Sequence, residues 1–258
     1  MKNLILYEGV LFDLGNTLIP FTPRDSMEFV VRWHRESGLA DNEIPFRDFL
    51  DAFRSVVRTE RKRSSRELWE SSVEFRSKEI TEKLRESFNL DPGIEEGLRS
   101  THTGSFAACL KMRSSSRYVL DILKSSRTPK GDKARLALIS NAMDGKAIRD
   151  FMERERLDAY FDPVIISAEV GFTKPHPEIF RMALDRMDLD PGSTVYIGDR
   201  YETDVVGARN AGMDSIYTRE YHTAGEPPEG IEIDSRIVTN ILDLLPLLSF
   251  HSSGDNKG

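Results

Sequence analysis

Six short apolar runs are set far apart along this chain: Val10-Leu11-Phe12, Leu136-Ala137-Leu138-Ile139, Val164-Ile165-Ile166, Thr194-Val195-Tyr196-Ile197, Ser215-Ile216-Tyr217 and Ile237-Val238. Near-continuous apolar runs of this length predict strands covered on both faces. Helical patterns fill the gaps between the later runs, at Gly145 to Arg156, Glu178 to Met187 and Asp204 to Ala211, and a last helix follows near Ile241 to Leu248. Strand and helix in alternation predict an α/β fold with a Rossmann-like, doubly wound parallel sheet.

The stretch between the first two runs has a different texture. From about Thr22 to Met112 the periodicity is helical and no strand pattern stands out. Pro45, Phe46, Phe49, Leu50, Phe53, Val56 and Val57 trace one apolar helix face, as do Trp69, Val73, Ile80, Leu84 and Phe88. Ser64 and Glu67 have the spacing of a capping box at the start of that second helix. Asn89 to Gly93 breaks the pattern, and a further helix is predicted from Ile94 to about Leu110. The chain therefore divides into a core at 1–20 and 113–250, an inserted helical domain at 21–112 and a disordered tail at 251–258. Surface loops are expected at Arg127 to Lys133 and at His222 to Gly230.

With 258 residues, one large domain or a core carrying a smaller one is accommodated. A composition of 39% apolar and 31% charged residues is that of a globular protein. The formal charge of -7 argues against non-specific nucleic-acid binding, which needs a basic footprint. Cys109 is the single cysteine, so no intramolecular disulfide forms, and five scattered histidines lack zinc spacing. The apolar start, Leu4 to Phe12, is too short to span a membrane, and the chain is read as cytoplasmic.

Candidate chemistry gathers at the ends of the predicted strands. The first strand runs into Asp13-Leu14-Gly15-Asn16-Thr17-Leu18, which puts a carboxylate where open α/β sheets bind ligands. The second ends in Ser140-Asn141, a hydroxyl and a backbone N–H able to hold a phosphate oxygen. In Gly171-Phe172-Thr173-Lys174-Pro175-His176-Pro177 two prolines keep Lys174 extended before a helix. The fourth strand delivers Gly198-Asp199 and, five residues on, Asp204, with glycines that permit close backbone approach. Two acids in that setting suggest a hard cation held by oxygen ligands. Each fragment alone has an ordinary reading as a turn, a helix cap or a solvated loop.

Taken in order, the four motifs resemble the haloacid dehalogenase superfamily, in the branch with a helical cap inserted after the first motif. The resemblance implies that the strands carrying Asp13 and Asp199 are neighbours and that the protein is a magnesium-dependent phosphatase acting on a small phosphorylated metabolite. It further implies Asp13 as the nucleophile, with Mg²⁺ on the Asp13 carboxylate, the Gly15 carbonyl and Asp199, and with Asp204 completing or supporting the metal site. Phosphate contacts would come from Lys174, Ser140 and Asn141, while Thr17 orients the nucleophile loop and joins the phosphate-binding set.

The sequence departs from that family at Gly15, where its phosphatases usually carry a second aspartate as general acid and base. Three readings follow: a phosphatase whose leaving group needs little protonation or whose proton comes from another group, a metal-independent dehalogenase-like hydrolase, and a binding or regulatory protein with a degenerate site. Asp199 is an acid the second would not need, and Asp13, Lys174, Asp199 and Asp204 together speak against the third. Replacing Lys174 or Asp199 by alanine is expected to abolish activity and leave the core folded. The basic run Arg54 to Arg66 reads as a solvated helix face, with contact to an anionic substrate as the alternative, and His34 and His102 read as structural residues, with approach to the cleft as the alternative.

Overall fold

The computed structural model describes residues 5–68, 70–221 and 236–249. Strand β1 (Gly9–Phe12) leads into four helices, α1 (Pro23–Glu36), α2 (Phe46–Glu67), α3 (Val73–Arg85) and α4 (Ile94–Ala107), before α5 (Ser114–Ser125) reaches β2 (Arg135–Ser140). The chain then alternates through α6 (Gly145–Arg154), β3 (Val164–Ile166), α7 (Ser167–Val170), α8 (Pro177–Met187), β4 (Thr194–Gly198), α9 (Gly207–Asn210), β5 (Asp214–Thr218), β6 (Arg236–Val238) and α10 (Leu244–Leu248). No helix among the described residues is long and apolar enough to cross a membrane.

The strands form one parallel sheet in the order β3-β2-β1-β4-β5-β6. Connections run outward from β1 on one side and, after β3, return to build the other side. The order therefore reverses between β1 and β4, and the crevice at their carboxyl ends is where such sheets bind ligands. Both faces of the sheet are covered, which explains the continuous apolar runs. Val10, Phe12, Leu136, Leu138 and Ile197 pack with α5, α6 and α10, whereas Leu11, Ala137, Ile139, Ile165 and Tyr196 pack against α8 and α9.

Helices α1 to α4 bury an aromatic cluster of their own around Phe29, Trp33 and Phe49, and the Trp33 indole N–H donates to the Leu98 carbonyl at 2.8 Å. Helix α1 starts at Thr22, whose hydroxyl accepts from the Asp25 N–H while the Asp25 carboxylate accepts from the Thr22 N–H. The insertion is bonded to the sheet domain at several points. His102 and Thr103 of α4 both reach the Asp144 carboxylate, and Arg154 of α6 donates to the carbonyls of Ala107 and Leu110.

Three local expectations change. The Ser64–Glu67 box starts no helix, because α2 runs through both residues and ends at Leu68 in the left-handed region. Helix α3 is capped instead by Ser72, whose hydroxyl accepts from the Phe75 N–H. The helix expected at Asp204 to Ala211 is a π-type turn, Tyr201–Val206, followed by the single turn of α9. Helix α5, buried through Val119, Leu120 and Leu123, was not anticipated. Trp69, the loop at His222 to Gly230 and the tail at 251–258 lie outside the described residues.

Candidate active site

Asp13 follows β1 directly, and its N–H donates to the Ile197 carbonyl at 2.8 Å, which sets it beside Gly198-Asp199 at the end of β4. After Asp13 the chain turns sharply. The Leu14 carbonyl accepts from Leu18 and Ile19, Asn16 takes a left-handed φ of 57°, and its side chain accepts from the Phe21 N–H at 2.9 Å. This turn carries Thr17 inward. Its side chain is fully buried, its hydroxyl has no hydrogen-bond partner among the described residues, and the cleft is lined by its neighbours Asp13 to Asn16 rather than by Thr17 itself.

Lys174 is the electrostatic centre. Only 4% exposed, its ammonium donates to Asp13 Oδ1 at 2.7 Å, to Asp204 Oδ1 at 2.7 Å and to the Tyr196 hydroxyl at 2.8 Å. Its backbone is clamped by Asn141, whose side chain accepts from the Lys174 N–H at 2.9 Å and donates to the Lys174 carbonyl at 3.0 Å. Burial alone would favour the neutral amine, but the paired carboxylates outweigh it and hold the Lys174 pKa above its ordinary value.

Asp204 has both oxygens engaged, one by Lys174 and the other by the Arg200 N–H at 2.9 Å. It fits under the strand end because residue 198 is glycine, since a Cβ there would stand 2.4 Å from the Asp204 carboxyl carbon. The π-type turn brings Asp204 back into this position, with its own N–H and that of Val205 both pointing to the Arg200 carbonyl. Ser140, at the end of β2, is buried and lines the same cleft.

Carboxylate oxygens of Asp13, Asp199 and Asp204 lie within 4.8 Å of one another, all three residues buried. One ammonium faces three acids, which cannot all be ionised at this range without a further cation. Burial, with the charges of Asp13 and Asp204 behind it, pushes Asp199 up to about 8. Burial likewise raises Asp13, against the pull of Lys174. A hard divalent cation fits this donor set: Asp199 and the second oxygen of Asp13 would hold it with the Gly15 carbonyl, while Asp204, already engaged, would support.

The site opens into a cleft of about 420 Å³ between the sheet and the helical insertion. Phe21, Phe29, Phe53, Val57 and Phe106 give it an apolar wall, and Glu60, Arg61, Glu70, Arg76 and His102 contribute polar groups. Glu60 is consumed locally, accepting from Arg76 and from the Ser71 hydroxyl. His102 Nδ1–H donates to Asp144 Oδ2, 2.7 Å away, and burial lowers the His102 pKa. Sequence reasoning missed Tyr196 as a site residue because it sits inside an apolar strand run, and missed Glu70 because no motif surrounds it.

A family model described as haloacid dehalogenase-like hydrolase matches residues 7–212. The chain is 33% identical over 156 residues to the glyceraldehyde 3-phosphate phosphatase of Methanothermobacter thermautotrophicus, covering 60% of this chain and 64% of that protein. It is 34% identical to a pyrimidine 5'-nucleotidase of Escherichia coli over 46% of this chain and 51% of the relative. The match thus spans between half and two thirds of these relatives' length. Among solved structures, a HAD phosphatase from Thermococcus onnurineus aligns with a TM-score of 0.62 at 21% identity, covering 93% of this chain and 97% of that one. A 2-haloacid dehalogenase from Pseudomonas syringae aligns with a TM-score of 0.64 at 20% identity, covering 96% and 98%.

Proposed function

Because the chain belongs to the haloacid dehalogenase-like hydrolases, we propose that it is a magnesium-dependent phosphohydrolase acting on a small phosphorylated metabolite through an aspartyl-phosphate on Asp13. The observation that carries this reading is the buried cluster of three carboxylates around one ammonium at the carboxyl ends of β1 and β4. Such an excess of acid calls for a divalent cation, and a site that holds one is suited to an anionic, phosphate-bearing substrate. The relatives named as phosphatase and nucleotidase support the same substrate class.

In this reading the Asp13 carboxylate attacks phosphorus, the bond to the leaving oxygen breaks, and water then hydrolyses the aspartyl-phosphate. Lys174 holds Asp13 in place and offsets charge on the transferring group, and Ser140 and the Asn141 backbone N–H receive its oxygens. Bound magnesium supplies Lewis-acid charge from a site on Asp13, Asp199 and the Gly15 carbonyl. Helices α1 to α4 act as a cap whose aromatic wall meets the leaving group. A dehalogenase reading has less in its favour, since the likeness to the haloacid dehalogenase is one of fold and the chain keeps Asp199.

The test is hydrolysis of an activated aryl phosphate with and without metal. Turnover should require Mg²⁺ and disappear in Asp13→Asn, whose amide neither attacks phosphorus nor ligates as an anion. Undiminished turnover in EDTA, or halide release from a 2-haloacid without metal, refutes the proposal.

A further inference from the structure

Gly15 leaves the proposed phosphohydrolase without a carboxylate beside its nucleophile, yet an alkoxide leaving group needs a proton. Among the described residues lining the cleft, the acids are Asp13, Glu60, Glu70 and Asp199. Asp13 and Asp199 belong to the nucleophile and cation cluster, and Glu60 is tied to Arg76 and Ser71. His102 has Nδ1 committed to Asp144, and its buried Nε2 has no hydrogen-bond partner among the described residues and sits among the rings of Phe29 and Trp33. Glu70 is what remains.

Its position suits the task. Glu70 lies in the crossing between α2 and α3, and that crossing is pinned to the sheet domain on both sides of the site. The Leu68 carbonyl accepts from the hydroxyl of Thr173, the residue before Lys174, at 3.0 Å. Glu70 Oε2 accepts from the Ser167 hydroxyl at 2.6 Å, and Ser167 Oγ in turn accepts from the N–H of Ala142, the residue after Asn141, at 2.9 Å. The segment therefore hangs between the lysine loop and the phosphate-side loop, with Glu70 facing the cleft they share.

We propose that Glu70 is the proton donor to the leaving group and then the base for the attacking water, in place of the carboxylate absent at Gly15. This rests on the phosphohydrolase reading. As the Asp13 oxygen bonds to phosphorus, the electron pair of the breaking P–O bond passes to the leaving oxygen, which takes the Glu70 proton. Water then enters on the same side, gives its proton to Glu70 and displaces Asp13, releasing inorganic phosphate and restoring the protonated acid. One group serves both halves because the leaving oxygen and the entering water occupy the same position opposite Asp13. Burial, aided by the nearby charge of Glu60, raises the Glu70 pKa, against hydrogen bonds from Ser167 and the Ser71 backbone and the charge of Arg76, so the carboxyl keeps its proton to higher pH than a solvated glutamate.

The experiment measures Glu70→Gln against wild type with Mg²⁺ on two substrates, p-nitrophenyl phosphate and a primary alkyl phosphate, across pH. The fall in kcat/KM, which reports the steps up to departure of the leaving group, should be greater on the alkyl ester than on the aryl ester by about 10²-fold or more, and the basic limb of the alkyl pH profile of kcat/KM should be lost. Ser167→Ala, which removes the hydrogen bond and keeps the carboxyl, should affect both substrates alike. Equal losses of kcat/KM on the two esters in Glu70→Gln, or no loss, overturn the assignment of Glu70 alone. Absence of metal-dependent phosphate release from wild type overturns the phosphohydrolase reading and this one with it.

Discussion

Lys174→Met should cost the metal-free protein stability as well as activity, contrary to the expectation from sequence that a loop lysine can be replaced with the core intact. The substitution keeps the apolar stem and removes the charge. Three hydrogen bonds at 2.7, 2.7 and 2.8 Å disappear, and two buried carboxylates and a phenol are left without their cation. Removing one partner of a buried ion pair costs about 3–5 kcal/mol. For a chain of this size each kcal/mol moves the melting temperature by about 2–4 °C, so a fall of about 6–20 °C is expected in EDTA. The Lys174 pKa is raised in the folded state, so its stabilisation is fully present below the unfolded lysine pKa and is lost only as pH rises through the folded value. The gap between variant and wild type should therefore hold from pH 7 to 9. It should narrow at acid pH, where Asp13, raised by burial, takes up a proton, and Mg²⁺ should narrow it at neutral pH. Thermal unfolding followed by circular dichroism reads all three trends. Coincident melts in EDTA at pH 7 would refute the assignment of Lys174 as the counter-ion of Asp13 and Asp204.

Asp199 sets the pH response of the metal-free protein: its folded pKa of about 8 lies above the unfolded value, so the folded state holds the extra proton and stability falls as pH rises from about 4 to 8. Mg²⁺ should then raise the melting temperature more at pH 8 than at pH 5; a shift independent of pH counts against it. Gly15→Asp should fold normally, since a Cβ at that position meets nothing within 4 Å and the residue has no left-handed φ. Placed in Glu70→Gln, it should return up to about 10²-fold of the lost alkyl phosphatase rate, and no recovery in a well-folded double variant argues against a proton-transfer role at this position. Gly198→Ala drives a methyl into the Asp204 carboxylate and should destabilise by about 1–3 kcal/mol with loss of turnover, so a variant melting and working like wild type would disprove the close approach.

How much of this was legible beforehand depends on how local each cause is. The six strands were readable because burial on both sheet faces writes an apolar run into consecutive residues, and Asp13, Ser140 and Asp199 were readable because they end such runs. Gly198 was legible in kind, as a glycine needed for close approach, though its partner Asp204 was not. The Ser64–Glu67 spacing misled for the opposite reason. A capping box stabilises a helix start only where the upstream chain is not already helical, and α2 propagates through it for 22 residues. Thr17 likewise sits in a motif whose spacing says nothing of which way the Leu14 turn points its side chain.

Tertiary structure alone decided the remaining relationships. Lys174 reaches Asp13 across 161 residues of sequence, and Ser167 reaches Glu70 across 97. Such contacts leave no period in the chain, because each needs one side chain at one place and constrains nothing at the neighbouring positions. The carboxyl ends of β1 and β4 meet because the two strands pair in parallel at the point where the strand order reverses, and the cleft above them closes where the inserted segment bonds to Asp144, Ser167 and Thr173. The chain's own pattern determined an α/β sheet with acids at its strand ends. Which acids pair with Lys174 and which acid faces the cleft with a raised pKa follow from burial and charge in three dimensions, where desolvation and distance act and sequence separation does not.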